Sequence, residues 1–187
     1  MPVNLANKIT LSRIFLLPVF LFFVFEQAQY GEFIAAGIFI LAAATDGLDG
    51  YVARKQKSVT NLGKLLDPLA DKLLVMSALV SLVAMSALPA WIAIVIIGRE
   101  FAVTGLRSIA AAEGRVMAAS KFAKVKTITQ IVAITAVMVN NYPFSLVGFP
   151  FEDIALLVAV VFTITSGLDY FRAAGDILGE RQPREVS

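Results

Sequence analysis

Apolar positions cluster into six runs: Ile14–Phe25, Phe33–Thr45, Leu73–Leu88, Trp91–Gly98, Ile128–Val139 and Ile154–Gly167. Several are shorter than the ~20 residues a membrane-spanning helix needs, but most extend through weakly polar flanks. The pattern predicts six helices. The second continues to about Ala53, the third begins near Gly63, and the fourth passes Glu100 to about Ala112. The first run lies behind a polar stretch and precedes no small-residue cleavage site, which predicts a retained helix rather than a signal peptide. Residues Met1–Lys8 are mixed in character and are expected to form a short N-terminal helix at the membrane surface or a topogenic leader.

The basic residues give these helices a direction. All 16 fall in alternate connections. Lys8 and Arg13 precede or open the first helix, and Arg54, Lys55, Lys57, Lys64 and Lys72 surround the link between the second and third. Arg99, Arg107, Arg115, Lys121, Lys124 and Lys126 surround the link between the fourth and fifth, and Arg172, Arg181 and Arg184 follow the sixth. The intervening connections carry no Lys or Arg. The positive-inside rule then places both termini in the cytoplasm, which requires an even number of spans. The expected fold is an all-α integral membrane protein of six transmembrane helices, with a polar cavity open to the cytoplasm.

Composition supports this class. The chain of 187 residues is 58% hydrophobic, with a mean hydropathy of +0.80. That length suits one membrane domain, expected over residues 1–178, followed by a polar tail over 179–187 that contains Pro183. The formal charge of +2 matters less than its one-sided distribution, which suits anionic lipid or a phosphorylated substrate. Nothing suggests nucleic-acid binding. The absence of cysteine excludes disulfides and a thiol nucleophile, and the absence of histidine removes the other usual ligand of zinc, haem and iron–sulfur centres.

Against that apolar background, four carboxylates stand out. Asp46 and Asp49 are three residues apart and Asp67 and Asp71 four apart, so each pair shares a helical face. Acids within membrane segments are costly and mark function. An all-oxygen donor set suits a hard divalent cation, Mg2+ or Mn2+. Gly50 and Ala53 fall near the face of Asp46, and Gly63 lies one turn before Asp67, where small side chains leave room for a ligand. Arg54 follows toward the cytoplasmic end, suited to phosphate or nucleotide. An ion pathway also places acids in membranes, but it does not require these small residues and Arg54 at these spacings.

The segment Asp46–Asp71 reads DGLDGYVARKQKSVTNLGKLLDPLAD. Its pattern, D-x2-D-G-x2-A-R-x8-G-x3-D-x3-D, resembles the signature of the CDP-alcohol phosphotransferase family at every defined position. The resemblance implies a six-helix membrane enzyme, commonly a homodimer, that transfers a substituted phosphate from a CDP-linked donor to an alcohol and releases CMP. It implies that Asp46, Asp49, Asp67 and Asp71 hold metal, two divalent ions in all. It also implies that Asp49, Gly50, Ala53, Arg54, Thr60 and Gly63 form the CDP site, and that Asp71 is the proton acceptor.

The second half contains GREFAVTGLR, Gly98–Arg107, and KFAKVKT, Lys121–Thr127. With the opening NKITLSR, these resemble the bacterial branch of the family whose donor is CDP-diacylglycerol and whose acceptor is glycerol 3-phosphate. The location implied is the bacterial cell membrane. Arg99 and Arg107 are eight residues apart, about 80° around a helix and two turns along it, so both can face one cavity. Together with Lys124 and Lys126 they suit an acceptor that carries its own phosphate. Arg115 and Lys121 read as topological, and Glu100, assigned no role in the chemistry, is expected to pair with a base or sit at the membrane surface. The rival expectations are another acceptor, such as serine or inositol phosphate, and an ion-coupled carrier.

Overall fold

In a computed structural model, residues 5–26, 30–56, 61–112, 114–115, 117 and 121–179 are described, with the backbone alone at 5–11, 46–56, 61–71, 121 and 176–179. Six α-helices account for most of them: α1 Leu5–Phe25, α2 Gly31–Gln56, α3 Asn61–Ala84, α4 Ala90–Ala112, α5 Lys121–Met138 and α6 Phe151–Gly179. A short 3-10 turn, Phe144–Val147, precedes α6. The described residues contain no strand. The shortest helix has 18 residues, a length of about 27 Å at 1.5 Å per residue. Among the described residues one segment, Phe151–Gly175, is both long and apolar enough to cross a bilayer; Ser12–Phe25, Gly31–Thr45 and Lys72–Ala84 are shorter apolar stretches within their helices.

The third apolar run continues to Leu88, and α3 stops at Ala84, at the connection expected near Met85–Pro89. Ser86 takes a positive φ of 60°, the Ala87 and Leu88 amides turn back to the Leu82 carbonyl, and Pro89 has no amide hydrogen with which to continue the helix. At the other end of the chain, residues 5–8 form the first turn of α1 rather than a separate surface helix. No glycine or proline interrupts Leu5–Leu17, so nothing in that stretch breaks the helix. Residues 180–187, the bulk of the expected tail, lie outside the described residues.

Helix α3 is central, in contact with α1, α2, α4 and α5, while α6 packs on α4 and α5. Phe20, Phe39, Leu74, Leu79, Ile96 and Ile134 bring α1 to α5 into one buried core. Ala35, Ala36, Ala42, Ala78, Ala133 and Ala159 are buried among them, and such small residues let helix backbones approach where apolar surroundings offer little drive for association. The outward faces carry Phe15, Ile94, Phe101 and Leu157, all well exposed. Inside lie Arg13, Lys126, Gln130, Thr163 and Ser166. The bundle thus keeps an apolar core, encloses a few polar side chains within it, and also turns many large apolar side chains outward.

The end that lacks basic residues is closed by aromatic and amide side chains. Phe144 stacks on Phe151 with ring centroids 4.4 Å apart, and Phe33 meets Tyr142 edge-on at 5.6 Å. Asn140 Nδ2 donates to Glu32 at 2.7 Å, and Asn141 joins the Phe149 carbonyl to the Glu152 amide. Aromatic rings of this kind settle at a membrane–water boundary.

Candidate active site

The carboxylate motif spans one helix–helix connection. Asp46, Asp49, Gly50, Ala53 and Arg54 belong to the C-terminal half of α2; Gly63, Asp67 and Asp71 belong to the N-terminal half of α3. Helices α2 and α3 are in contact, so the backbone brings the two halves of the motif to neighbouring elements. The side chains of these eight residues, and Thr60 entirely, lie outside the described residues. Among the described residues no group of three or more metal-ligating side chains occurs. The chemistry of the donor set still fits a divalent cation: four carboxylates are hard oxygen ligands, and no softer residue competes in a chain without His or Cys.

Next to this motif the structure assembles a polar cluster from α3, α4, α5 and α6. The mid-helix pair Arg99 and Glu100 on α4 is its hub. Arg99 Nη1 donates to Glu100 Oε1 at 2.7 Å, and Arg99 Nη2 donates to Ser166 Oγ on α6 at 2.6 Å. Lys126 on α5, almost wholly buried, donates its ammonium to the same Glu100 oxygen. One carboxylate thus compensates two cations in a setting where an unpaired charge would be expensive. The Arg99 guanidinium also lies 5.6 Å from the centre of the Tyr170 ring. Gly167 makes room for this arrangement, since a Cβ there would approach Arg99 Cγ to 3.2 Å. Deeper in the bundle, Gln130 Nε2 donates to Thr163 Oγ1 at 2.8 Å, and that hydroxyl donates to the Ala159 carbonyl at 2.6 Å.

Two cavities flank the hub. One of about 70 Å3 is lined by Lys72, Glu100, Lys126, Thr127 and Gln130 within an apolar wall. The other, about 310 Å3, is lined by Lys72, Thr104, Arg107, Ser108, Ala111, Arg115 and Met117. On α4, Thr104, Arg107, Ser108 and Ala111 recur at the three- and four-residue spacing of one helical face. The larger cavity brings basic groups from two helices and a connection around a space suited to a small anion.

The four basic residues singled out from the sequence therefore separate. Arg99, partly buried, and Lys126, buried, are tied to Glu100, whereas Arg107 lines the larger cavity and Lys124 is exposed on α5. Glu100, expected to pair with a base or sit at the membrane surface, pairs with two bases at the centre of the cluster. Arg115, read as topological, lines the cavity beside Arg107. Lys72, Thr104 and Ser166 were also not singled out. For Lys72 a signal existed in its position directly after the last motif aspartate.

Comparison with known proteins places the chain among its relatives. A family model described as CDP-alcohol phosphatidyltransferase matches residues 3–165. A Bacillus subtilis protein named CDP-diacylglycerol--glycerol-3-phosphate 3-phosphatidyltransferase is 51% identical over 180 residues, covering 90% of this chain and 93% of the relative. Proteins of the same name from Pseudomonas fluorescens and Rickettsia bellii are 39% and 35% identical, with 91% of this chain covered in each case and 90% and 94% of the relative.

Proposed function

The chain belongs to the CDP-alcohol phosphatidyltransferase family, and from that premise we propose that it transfers a phosphatidyl group from CDP-diacylglycerol to glycerol 3-phosphate. The products are phosphatidylglycerol phosphate and CMP, an early step of phospholipid synthesis in a bacterial membrane. The observation that carries the choice of acceptor is the cavity of about 310 Å3 in which Lys72, beside Asp71, and Arg107 meet. A phosphate held between these two basic residues would lie close to the motif that handles the donor. The names of the relatives agree with this acceptor.

In this reading six helices span the membrane, with both termini and the site on the cytoplasmic side. Asp46, Asp49, Asp67 and Asp71 hold two divalent cations, Mg2+ or Mn2+. When bound, such ions neutralise charge on the donor pyrophosphate and make CMP a better leaving group. Asp49, Gly50, Ala53, Arg54, Thr60 and Gly63 receive the CDP moiety. Arg107 and Lys124 bind the acceptor phosphate, with Arg99 and Lys126 held behind them by Glu100. The acceptor hydroxyl oxygen forms a bond to the phosphorus bearing diacylglycerol, the bond from that phosphorus to CMP breaks, and the hydroxyl proton passes to Asp71. A carboxylate of ordinary pKa, ~3.9, is a weak base, so proton transfer comes late and Asp71 acts first by orienting the hydroxyl. The enzyme acts as a homodimer, residues 1–178 forming the membrane domain and 179–187 its tail.

Acceptors without phosphate, such as serine, would leave the basic cavity unfilled, and removing a charged partner of this kind weakens use of a substrate by orders of magnitude. A panel of acceptors tests the reading. Purified protein supplied with CDP-diacylglycerol and Mg2+ should release CMP with glycerol 3-phosphate and not with serine, with inositol phosphate compared as the phosphate-bearing rival. Equal release with serine would reject the acceptor assignment, and no release with any acceptor would favour a carrier.

A further inference from the structure

Lys72 occupies a place that neither the aspartate motif nor the basic residues of α4 and α5 account for. It follows Asp71 on α3, is partly buried, and lines both cavities. Its ammonium donates to Thr104 Oγ1, and the Thr104 hydroxyl donates to the Glu100 carbonyl at 2.7 Å. A hydroxyl has one proton. With that proton committed to the carbonyl, Thr104 presents only lone pairs to Lys72, so the contact has one polarity. A lysine stem otherwise samples many rotamers, and the Thr104 acceptor restricts this one at the wall of the larger cavity. An ammonium has three donors, so one bond to Thr104 leaves capacity for an anion. Arg107, Ser108 and Arg115 line the same cavity.

Resting on the phosphatidyltransferase reading, we infer that Lys72 contacts the phosphate of the acceptor and that Thr104 is the positioning residue that aims it. The Thr104 hydroxyl then sets acceptor affinity without touching the substrate. It also couples α4 to the turn of α3 that carries Asp71, so the acceptor is seated at a fixed offset from the proposed proton acceptor.

Steady-state kinetics on the full-length membrane protein separates this role from a structural one. Thr104→Val keeps the shape and removes the hydroxyl, and Thr104→Ser restores it. Thr104→Val should raise KM for glycerol 3-phosphate about tenfold, the factor expected for one hydrogen bond to a charged group, with KM for CDP-diacylglycerol within about twofold of wild type. Thr104→Ser should recover most of the loss. Lys72→Met should raise the acceptor KM at least as far, and adding Thr104→Val to it should cost nothing more, because the hydroxyl acts only through the lysine. An unchanged acceptor KM in Thr104→Val, an equal rise for both substrates, or additive losses in the double variant would overturn the inference. If Thr104→Val does not accumulate, Lys72→Met decides alone, an acceptor-selective rise supporting the inference and any other result rejecting it. Absence of wild-type turnover with glycerol 3-phosphate would overturn the activity and this inference together, whereas normal wild-type turnover beside an unaffected Thr104→Val would overturn the inference only.

Discussion

Replacing Glu100 with glutamine removes the one negative charge set between Arg99 and Lys126 while keeping nearly the same shape and an acceptor oxygen. Both cations reach the same Oε1 atom, so the substitution weakens two charge-assisted contacts at once. A hydrogen bond to a charged group contributes ~1.5 to 3 kcal/mol against ~1 for a neutral one, so neutralisation costs about 1 kcal/mol per contact. Breaking a buried pair outright reaches ~3 to 5 kcal/mol, and the retained amide oxygen keeps the loss below that, giving an expected destabilisation of about 2 to 3 kcal/mol. Trp91, the chain's single tryptophan, sits on the same helix and reports unfolding by fluorescence in detergent. Lys126→Met should also destabilise, but in the Glu100→Gln background its cost should shrink, because the charge-assisted contact to Glu100 is already lost. A Glu100→Gln protein within about 0.5 kcal/mol of wild type, or fully additive losses in the double variant, would refute the idea that one carboxylate neutralises both cations.

Arg107→Ala should lower kcat/KM for glycerol 3-phosphate roughly tenfold to a hundredfold with the donor KM unchanged, and Arg54→Ala should do the opposite. Initial-rate measurements varying each substrate in turn decide this, and a donor-selective defect in Arg107→Ala would remove that residue from the acceptor site. The cysteine-free background makes topology directly accessible: Lys57→Cys and Lys121→Cys should label from the cytoplasm, Tyr30→Cys and Phe144→Cys from outside. Outer-face labelling at Lys57→Cys would invert the orientation.

The helices were legible in the sequence because their apolar runs are long and the breaks between them are marked by charge or proline. Within the third apolar run the break is made by backbone geometry, the positive φ of Ser86 ending α3 at the connection expected before Pro89. The aspartate motif was legible because its spacing is local. The polar cluster was not, since its contacts join residues far apart in sequence: Lys72 to Thr104, Glu100 to Lys126, Arg99 to Ser166. Charge counting grouped Arg99 and Lys126 around the α4–α5 connection and let Glu100 pair with a base, but it gave no reason to see that Glu100 holds both. It also set Arg115 aside as topological, because only the turn after α4 brings that residue around to the cavity of Arg107.

The identity of the lipid product tests the central claim most directly. Purified wild-type protein and Asp67→Asn are each given CDP-diacylglycerol, glycerol 3-phosphate and Mg2+, and the extracted lipids are identified by mass spectrometry. The wild type should form phosphatidylglycerol phosphate in equal amount to released CMP and lose that activity on chelation of the metal, while Asp67→Asn, folded and membrane-inserted, should form none. Product formation that survives both chelation and Asp67→Asn, or CMP release without that lipid, would contradict the account.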